Sequence, residues 1–177
     1  MEIWDIYDKN RTKTGKTIVR GSDEALSAGE YHIVTFICIF NSSGQMLIQQ
    51  RQPFKEGWPG FWDITAGGSA ISGDTSQMAA SRELLEEVGI SVDFSNAIPH
   101  FTINTEHAFC DVYLHQEDID ISGLKLQYEE VAQVKWATKE EILGMIEDGS
   151  FVPLQEGMIE LYFALIKRRG TLRYDEE

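Results

Sequence analysis

Three glutamates, Glu83, Glu86 and Glu87, stand close together in a segment that is rich in helix-forming residues. On a helix, which turns by about 100° per residue, spacings of three and four residues place all three carboxylates on one face. Like charges at these spacings destabilise a helix, and a bound divalent cation would relieve the repulsion. The alternative is an ordinary solvent-exposed acidic face.

The helix that carries the glutamates is predicted over residues 74 to 89. Asp74 or Thr75 is the candidate N-cap, and Gly89 is placed to end the helix. The side chains expected to cover its opposite, apolar side are Met78, Leu84, Leu85 and Val88.

The types of ligand select the metal. Carboxylates and backbone carbonyls suit hard cations such as Mg²⁺ or Mn²⁺, and no cluster of histidine or cysteine near the helix points to zinc. Gly67 and Gly68 precede the helix and would let the backbone come close to a metal ion or a phosphate. Because Mg²⁺ commonly bridges protein carboxylates to substrate phosphates, the pattern indicates phosphate chemistry.

A resemblance to a known family follows from the spacing. Gly68, five residues, Asp74, seven residues and then the run from Arg82 to Ile90 resemble the signature of the Nudix hydrolases. That signature is glycine, five residues, glutamate, seven residues, then R-E-apolar-x-E-E-x-G-apolar. Asp74 is the one departure, because the family usually has glutamate there. It keeps the carboxylate but shortens its reach.

The resemblance implies an enzyme that hydrolyses a phosphoanhydride in a nucleoside diphosphate linked to another group, with divalent cations that neutralise the diphosphate and activate water. The implied catalytic residues are Glu83, Glu86, Glu87 and Arg82. Glu86 and Glu87 would be the main metal ligands, with Glu83 as a further ligand or the general base. Arg82 would orient the glutamates through an ion pair. The other implied metal ligands are a carbonyl of Gly67 or Gly68 and a later acid, Glu129 or Glu130, with Glu130 preferred.

A narrower resemblance leaves an alternative open. Tyr31-His32, Arg51 and the run from Gly57 to Trp62 resemble the isopentenyl-diphosphate isomerase branch of the same superfamily. That chemistry requires a cysteine after the tryptophan loop and a nearby metal-binding histidine, but residues 66–69 read Ala-Gly-Gly-Ser. A third alternative is a nucleotide-binding Nudix module without catalysis. The intact glutamates favour the hydrolase.

Substrate contacts are predicted in the aromatic loop and just before it. Arg51 and Lys55 could meet phosphate oxygens, and Trp58 or Phe61 could stack on a base. The alternative for the aromatic residues is core packing. The chain has 15 Lys and Arg against 29 Asp and Glu, a net charge of −14. This balance argues against a nucleic-acid polymer or an anionic membrane as a partner and favours a small-molecule diphosphate that needs local positive charge.

Length and patterning predict the architecture. The 177 residues suit one domain, and strands, a helix, more strands and two further helices predict an α+β fold, an α/β/α sandwich with a mixed sheet between helices. The resemblance implies the Nudix fold for a single domain over residues 1–177. In it, residues 1–29 form an N-terminal hairpin and loop extension, and residues 30–177 form the catalytic core.

Cellular context is inferred from composition. Cys38 and Cys110 read as buried thiols outside any disulfide framework. The N-terminus shows no targeting pattern, and no apolar run approaches the roughly 18 residues that span a bilayer. A cytoplasmic protein is therefore expected. The N-terminal hairpin and a last helix, predicted from about Leu154 to Arg169, are candidate surfaces for a homodimer.

Overall fold

The structure is a computed structural model, and it describes residues 2–22 and 25–167. Nine strands, three α-helices and one short 3-10 helix (Ile121–Gly123) are assigned in these ranges. The strands are β1 (Ile3–Tyr7), β2 (Lys13–Val19), β3 (His32–Phe40), β4 (Met46–Arg51), β5 (Trp62–Asp63), β6 (Ala66–Ser69), β7 (Phe101–Asn104), β8 (Ala108–Gln116) and β9 (Val131–Ala137). The helices are α1 (Ser76–Val88), α2 (Lys139–Glu147) and α3 (Glu156–Lys167).

Seven of the strands in the described ranges form one mixed sheet in the order β5-β4-β3-β8-β7, with β6 paired to β3 and β9 paired to β4. The pair β3 and β8 is parallel along the full length of both strands, and the other pairs are antiparallel. Strands β3 and β4 meet at the pair Phe40 and Met46, whereas the other half of β3 pairs with β6. The two central strands therefore diverge and leave a gap.

Alternation along β3 places helices on both faces of the sheet. Ile37 and Ile39 point to one side, where they join a buried cluster with Leu84 of α1. Cys38 and Phe40 point to the other side, where a second buried cluster includes residues of α2 and α3. Because successive side chains of a strand face opposite ways, this pattern requires two covering layers. The predicted α/β/α sandwich with a mixed sheet is confirmed.

The predicted N-terminal hairpin is present as β1 and β2, which pair antiparallel in a separate two-stranded sheet. It is docked beside the loop that precedes α1. The carboxylate of Asp5 accepts hydrogen bonds from Ser72 Oγ at 2.7 Å and from the Gly73 amide at 3.1 Å. The indole of Trp4 stacks on the imidazole of His32, with ring centroids 4.3 Å apart.

Of the four side chains expected on the apolar side of α1, Met78 and Leu85 are not buried. Both are about half exposed, at 54% and 52%. They are seven residues apart, two turns of the helix, and so share one stripe of α1. The buried stripe is formed instead by smaller residues together with Leu84 and Val88.

Two element boundaries complete the sheet, and one further boundary differs from the sequence prediction. Gly67 and Gly68 belong to strand β6. A turn separates β7 from β8, and in it the Thr105 amide donates a hydrogen bond to the Ala108 carbonyl. Helix α3 begins at Glu156, two residues later than predicted, while Arg168 and Arg169 lie outside the described residues.

Two further observations concern the cysteines and the membrane. Cys38 and Cys110 are free, buried thiols, as predicted. Among the described residues, no helix combines the length and the apolar character required to span a bilayer.

Candidate active site

Helix α1 has a cap at each end, and the two caps fix where the helix begins and ends. The Thr75 hydroxyl accepts a hydrogen bond from the Met78 amide at 3.2 Å, so Thr75 and not Asp74 is the N-cap. Gly89 ends the helix with a left-handed φ of 72°, and its amide donates to the Leu85 carbonyl at 3.0 Å. These are the caps that serine, threonine and glycine provide at such positions.

A polar cavity of about 290 Å³ lies beside α1, at the gap between β3 and β4. It brings together most of the predicted site residues. Those that line it are Arg51, Lys55, Gly67, Gly68, Arg82, Glu83, Glu86, Glu87 and Glu130. Of the described residues along its wall, six are acidic and four are basic.

Arg82 connects the acids at one side of this cavity. Its guanidinium donates to the Asp74 carboxylate at 3.2 Å, to Glu83 Oε1 at 2.7 Å and to Glu86 Oε2 at 3.3 Å, and it also donates to the Ser69 carbonyl at 3.1 Å. A planar guanidinium can hold several acceptors at once in this way. Asp74 therefore helps to position the glutamates through Arg82. Its side chain, although shorter than that of glutamate, is long enough to reach the Arg82 guanidinium.

Glu87 occupies the most enclosed position of the three glutamates. It is 8% exposed, and its Oε2 accepts a hydrogen bond from the side-chain Nε2 of Gln49 at 2.8 Å. Burial raises the pKa of Glu87 to about 8, although the Gln49 hydrogen bond opposes the shift. Among the described residues no basic side chain pairs with it. A buried carboxyl group without a cationic partner is costly, and this one faces a cavity.

The glycine pair makes room for Glu83. A β-carbon on Gly68 would overlap the Glu83 carboxyl group, and one on Gly67 would lie 3.0 Å from the Thr35 carbonyl oxygen. The Glu83 side chain is 14% exposed, and burial raises its pKa while Arg82 acts in the opposite direction. The glycines were expected to let the backbone come close to a metal ion or a phosphate, and at Gly68 the group that lies close to the backbone is the Glu83 carboxyl group of α1.

The opposite wall of the cavity comes from two loops. Glu130, in the turn before β9, forms an ion pair with Lys55. Glu129 is exposed and does not line the cavity. The Arg51 guanidinium donates to the Gly57 carbonyl at 2.9 Å.

Trp58 and Phe61 do not line the cavity. Trp58 is 48% exposed, with a positive φ of 51°. Its ring contacts that of Phe61 edge-on, at 5.5 Å between centroids. The structure thus places this aromatic pair outside the group of charged residues.

Sequence reasoning missed several residues that line the cavity, among them three charged residues and one amide, Glu2, Arg20, Asp63 and Gln49. The Asp63 carboxylate accepts a hydrogen bond from Arg51 Nη1 at 3.5 Å. Burial raises the pKa of Asp63 to about 6. An acid directly after the aromatic loop was a usable signal for Asp63. Arg20 and Glu2 carried no signal, because only the docking of the hairpin brings them to the site.

The donor set fits a hard divalent cation, since it consists of carboxylates and backbone carbonyl groups. In the described part of the chain, no three acidic, histidine or cysteine side chains converge closely enough to hold a metal ion as they stand. Glu83 and Glu86 do not converge with Glu87 because Arg82 holds both of them in ion pairs. A cation would have to compete with Arg82 for these two carboxylates, whereas Glu87 has no cationic partner in the part of the chain that the structure describes.

Fold and site together define the class of protein: an α/β/α domain in which one helix presents the Nudix signature to a polar cavity. The NUDIX domain model matches residues 30–160, and the chain belongs to the Nudix hydrolase family. It is an enzyme of the Nudix pyrophosphohydrolase type.

Individual relatives agree with this assignment. An uncharacterized Nudix hydrolase of Listeria monocytogenes is 48% identical over 153 residues, which cover 86% of this chain and 89% of the relative. Nudix hydrolase 3 of Arabidopsis thaliana is 36% identical over 186 residues, covering 95% of this chain and 24% of that longer protein. A crystal structure of a Deinococcus radiodurans protein matches with a TM-score of 0.72 at 26% identity, covering 91% of this chain and 97% of the other.

Proposed function

We propose that the protein hydrolyses a phosphoanhydride bond in a nucleoside diphosphate linked to another group, or in a related small diphosphate, with Mg²⁺ or Mn²⁺ as cofactor. The observation that carries the proposal is the arrangement of Glu83, Glu86 and Glu87 around one polar cavity, with Glu87 buried and, within the described ranges, without a basic partner. In the reaction, a water oxygen bonds to phosphorus, the bridging P–O bond breaks, and a cavity carboxylate accepts the proton from water.

The residues that would hold the cation are Glu83, Glu86, Glu87 and Glu130, with a carbonyl oxygen of Gly67 or Gly68. When bound, the metal ion supplies Lewis-acid polarisation of the phosphate and a more acidic water. Glu87 offers the carboxylate that is least engaged in ion pairs. Arg82 fixes the directions of Glu83 and Glu86, so its role is positioning.

The substrate's phosphates would meet Arg51 and Lys55, which reach the cavity from the strand β4 and the loop after it. Their existing partners, Asp63 and Glu130, hold them at the wall. Trp58 and Phe61 are proposed to contact the part of the substrate that projects from the cavity, because Trp58 is exposed on the same loop as Lys55.

The isomerase alternative finds little support at the site. No thiol lines the described wall of the cavity, since Cys38 and Cys110 are buried elsewhere. Burial raises the pKa of Cys110 to about 11, which disfavours a thiolate. The imidazole of His32 is covered by the stacked indole of Trp4.

The test is turnover of a panel of nucleoside diphosphate derivatives with Mg²⁺ and with Mn²⁺, together with isopentenyl diphosphate. We expect hydrolysis of at least one panel member and no isomerised product. Isomerisation without hydrolysis would overturn the proposal in favour of the isomerase. Binding of a nucleotide without turnover of any panel member would favour the non-catalytic module.

The variant Glu87→Gln tests the role of the helix. It keeps the shape of the side chain but removes the charge that a cation requires, so we expect kcat to fall by a factor of about 10³ or more. The melting temperature should be maintained. Glu129→Gln is the matched control, because Glu129 is exposed and outside the cavity. Wild-type turnover by the Glu87 variant would show that the metal assignment is wrong.

A further inference from the structure

The N-terminal hairpin contributes two charged residues to the wall of the candidate active site. Arg20, just after β2, and Glu2, just before β1, both line the cavity that contains the three glutamates of α1. Both residues precede the segment 30–160 that matches the NUDIX domain. The cavity is therefore completed by a part of the chain outside the shared family segment.

The hairpin is fixed in place at this end. The Ser72 amide donates to the Ile3 carbonyl at 2.7 Å, and the Arg20 amide donates to the Glu2 carbonyl at 3.0 Å. The Asp5 carboxylate also accepts a hydrogen bond from the Ser72 hydroxyl. Since Ser72 lies in the loop that leads into α1, its two hydrogen bonds hold this end of the hairpin beside α1, and the bond between Arg20 and Glu2 keeps the two ends of the hairpin together.

The four basic residues on the described wall differ in how firmly they are engaged. Arg82 is 25% exposed and pairs with three acids. Arg51 and Lys55 are 23% and 21% exposed and pair with the cavity acids Asp63 and Glu130.

Arg20 differs from these three. Its side chain is 58% exposed and its partner Glu2 is 43% exposed, at 2.9 Å. Ion pairs between exposed side chains contribute little to stability. Arg20 can therefore exchange its partner at lower cost than the other three.

Binding of an anionic substrate requires a basic side chain that is free to change its partner, because acids outnumber bases along the described wall of the cavity. A diphosphate entering it is repelled by the carboxylates, and a guanidinium binds phosphate oxygens by charge-assisted, bidentate hydrogen bonds. We propose that Arg20 binds a phosphate group of the substrate and that this phosphate displaces the Glu2 carboxylate. The hairpin is then part of the substrate site, and this inference rests on the proposed diphosphate substrate.

The kinetic test compares Arg20→Gln with Lys16→Gln. Lys16 is the matched control, because it lies on the same hairpin, is 69% exposed and pairs with Glu30, but does not line the cavity. On the best panel substrate, we expect Arg20→Gln to raise KM about tenfold with kcat within twofold of wild type. Glu2→Gln should lower KM, because it frees Arg20. Equal KM values for the two hairpin variants would overturn the proposal.

A binding experiment separates this inference from the proposed hydrolysis. The probe is α,β-methylene-ADP with Mg²⁺, measured by calorimetry, because its P–C–P link resists cleavage. Weaker binding by Arg20→Gln than by wild type and Lys16→Gln supports the role of Arg20, even if no panel member is hydrolysed. If wild type hydrolyses a panel member but binds the probe no better than Arg20→Gln, or not at all, the role of Arg20 is rejected and the hydrolase proposal stands.

Discussion

At Gly68 the absence of a side chain determines where Glu83 can lie. A β-carbon at this position would overlap the Glu83 carboxyl group. Gly68→Ala should therefore displace a predicted ligand, and we expect kcat/KM to fall about 100-fold, a loss of about 2.7 kcal/mol of transition-state stabilisation. Overpacking should cost about 1–3 kcal/mol of stability.

Gly144→Ala is the control for this variant, since it lies in α2 with nothing within 4 Å of an added β-carbon. It should raise stability by about 0.5–1 kcal/mol, as alanine does in a helix interior. Kinetics and urea unfolding measure both effects. Unchanged activity in Gly68→Ala would show that the position of Glu83 is not critical.

Side-chain contacts along one element could be predicted from the sequence, and contacts between distant loops could not. The ion pair of Arg82 with Glu86 follows from a spacing of four residues on a helix. The pair of Lys55 with Glu130 joins residues 75 positions apart. The sequence predicts both as site residues, Lys55 as a phosphate ligand and Glu130 as a metal ligand. Their mutual pairing depends on the pairing of β4 with β9, which local patterns do not specify.

Among the helix ends, Gly89 is under two constraints. Its φ of 72° is left-handed, and an added β-carbon would lie 2.8 Å from the Lys125 carbonyl oxygen. Gly89→Ala should therefore suffer conformational strain of about 1–2 kcal/mol and a backbone clash in addition, for a total loss of about 3 kcal/mol in unfolding free energy.

Gly149→Ala separates the two contributions. Gly149 follows α2 with a φ of 76°, but nothing lies within 4 Å of its added β-carbon. We expect it to lose only the strain, about 1 kcal/mol, in urea denaturation followed by circular dichroism. If both variants lose the same stability, the contact with Lys125 is relieved by a backbone shift.

Element types could be predicted more securely than the faces they bury. The hairpin, the strands and the capped helix follow from turn residues, alternation and caps. The exposed stripe of Met78 and Leu85 did not follow, because apolar character alone does not say which side of α1 meets the sheet. Ala79 and Ala80, both fully buried, let the helix pack closely through a different face.

For the whole molecule, the net charge of −14 and the glutamates of α1 together predict two separable responses to salt. Any salt screens the mutual repulsion of the acids, and this effect does not depend on one site. A cation bound at the glutamates of α1 adds a specific stabilisation, because it binds the folded chain and not the unfolded one. The acidic composition thus predicts a general effect, and the cavity predicts a local one.

The two responses can be distinguished by thermal unfolding in MgCl₂ and in KCl at equal ionic strength. At a Mg²⁺ concentration of about 100 times Kd, linkage contributes about 2.7 kcal/mol, which corresponds to a rise in Tm of roughly 5–10 °C for a protein of this size. Glu87→Gln should lose this additional rise and keep the KCl response, because one ligand is removed among 29 acids. Glu129→Gln should keep both. An equal Mg²⁺ effect in all three proteins would mean that Mg²⁺ acts only by screening, and the metal site at Glu87 would be rejected without reference to any substrate.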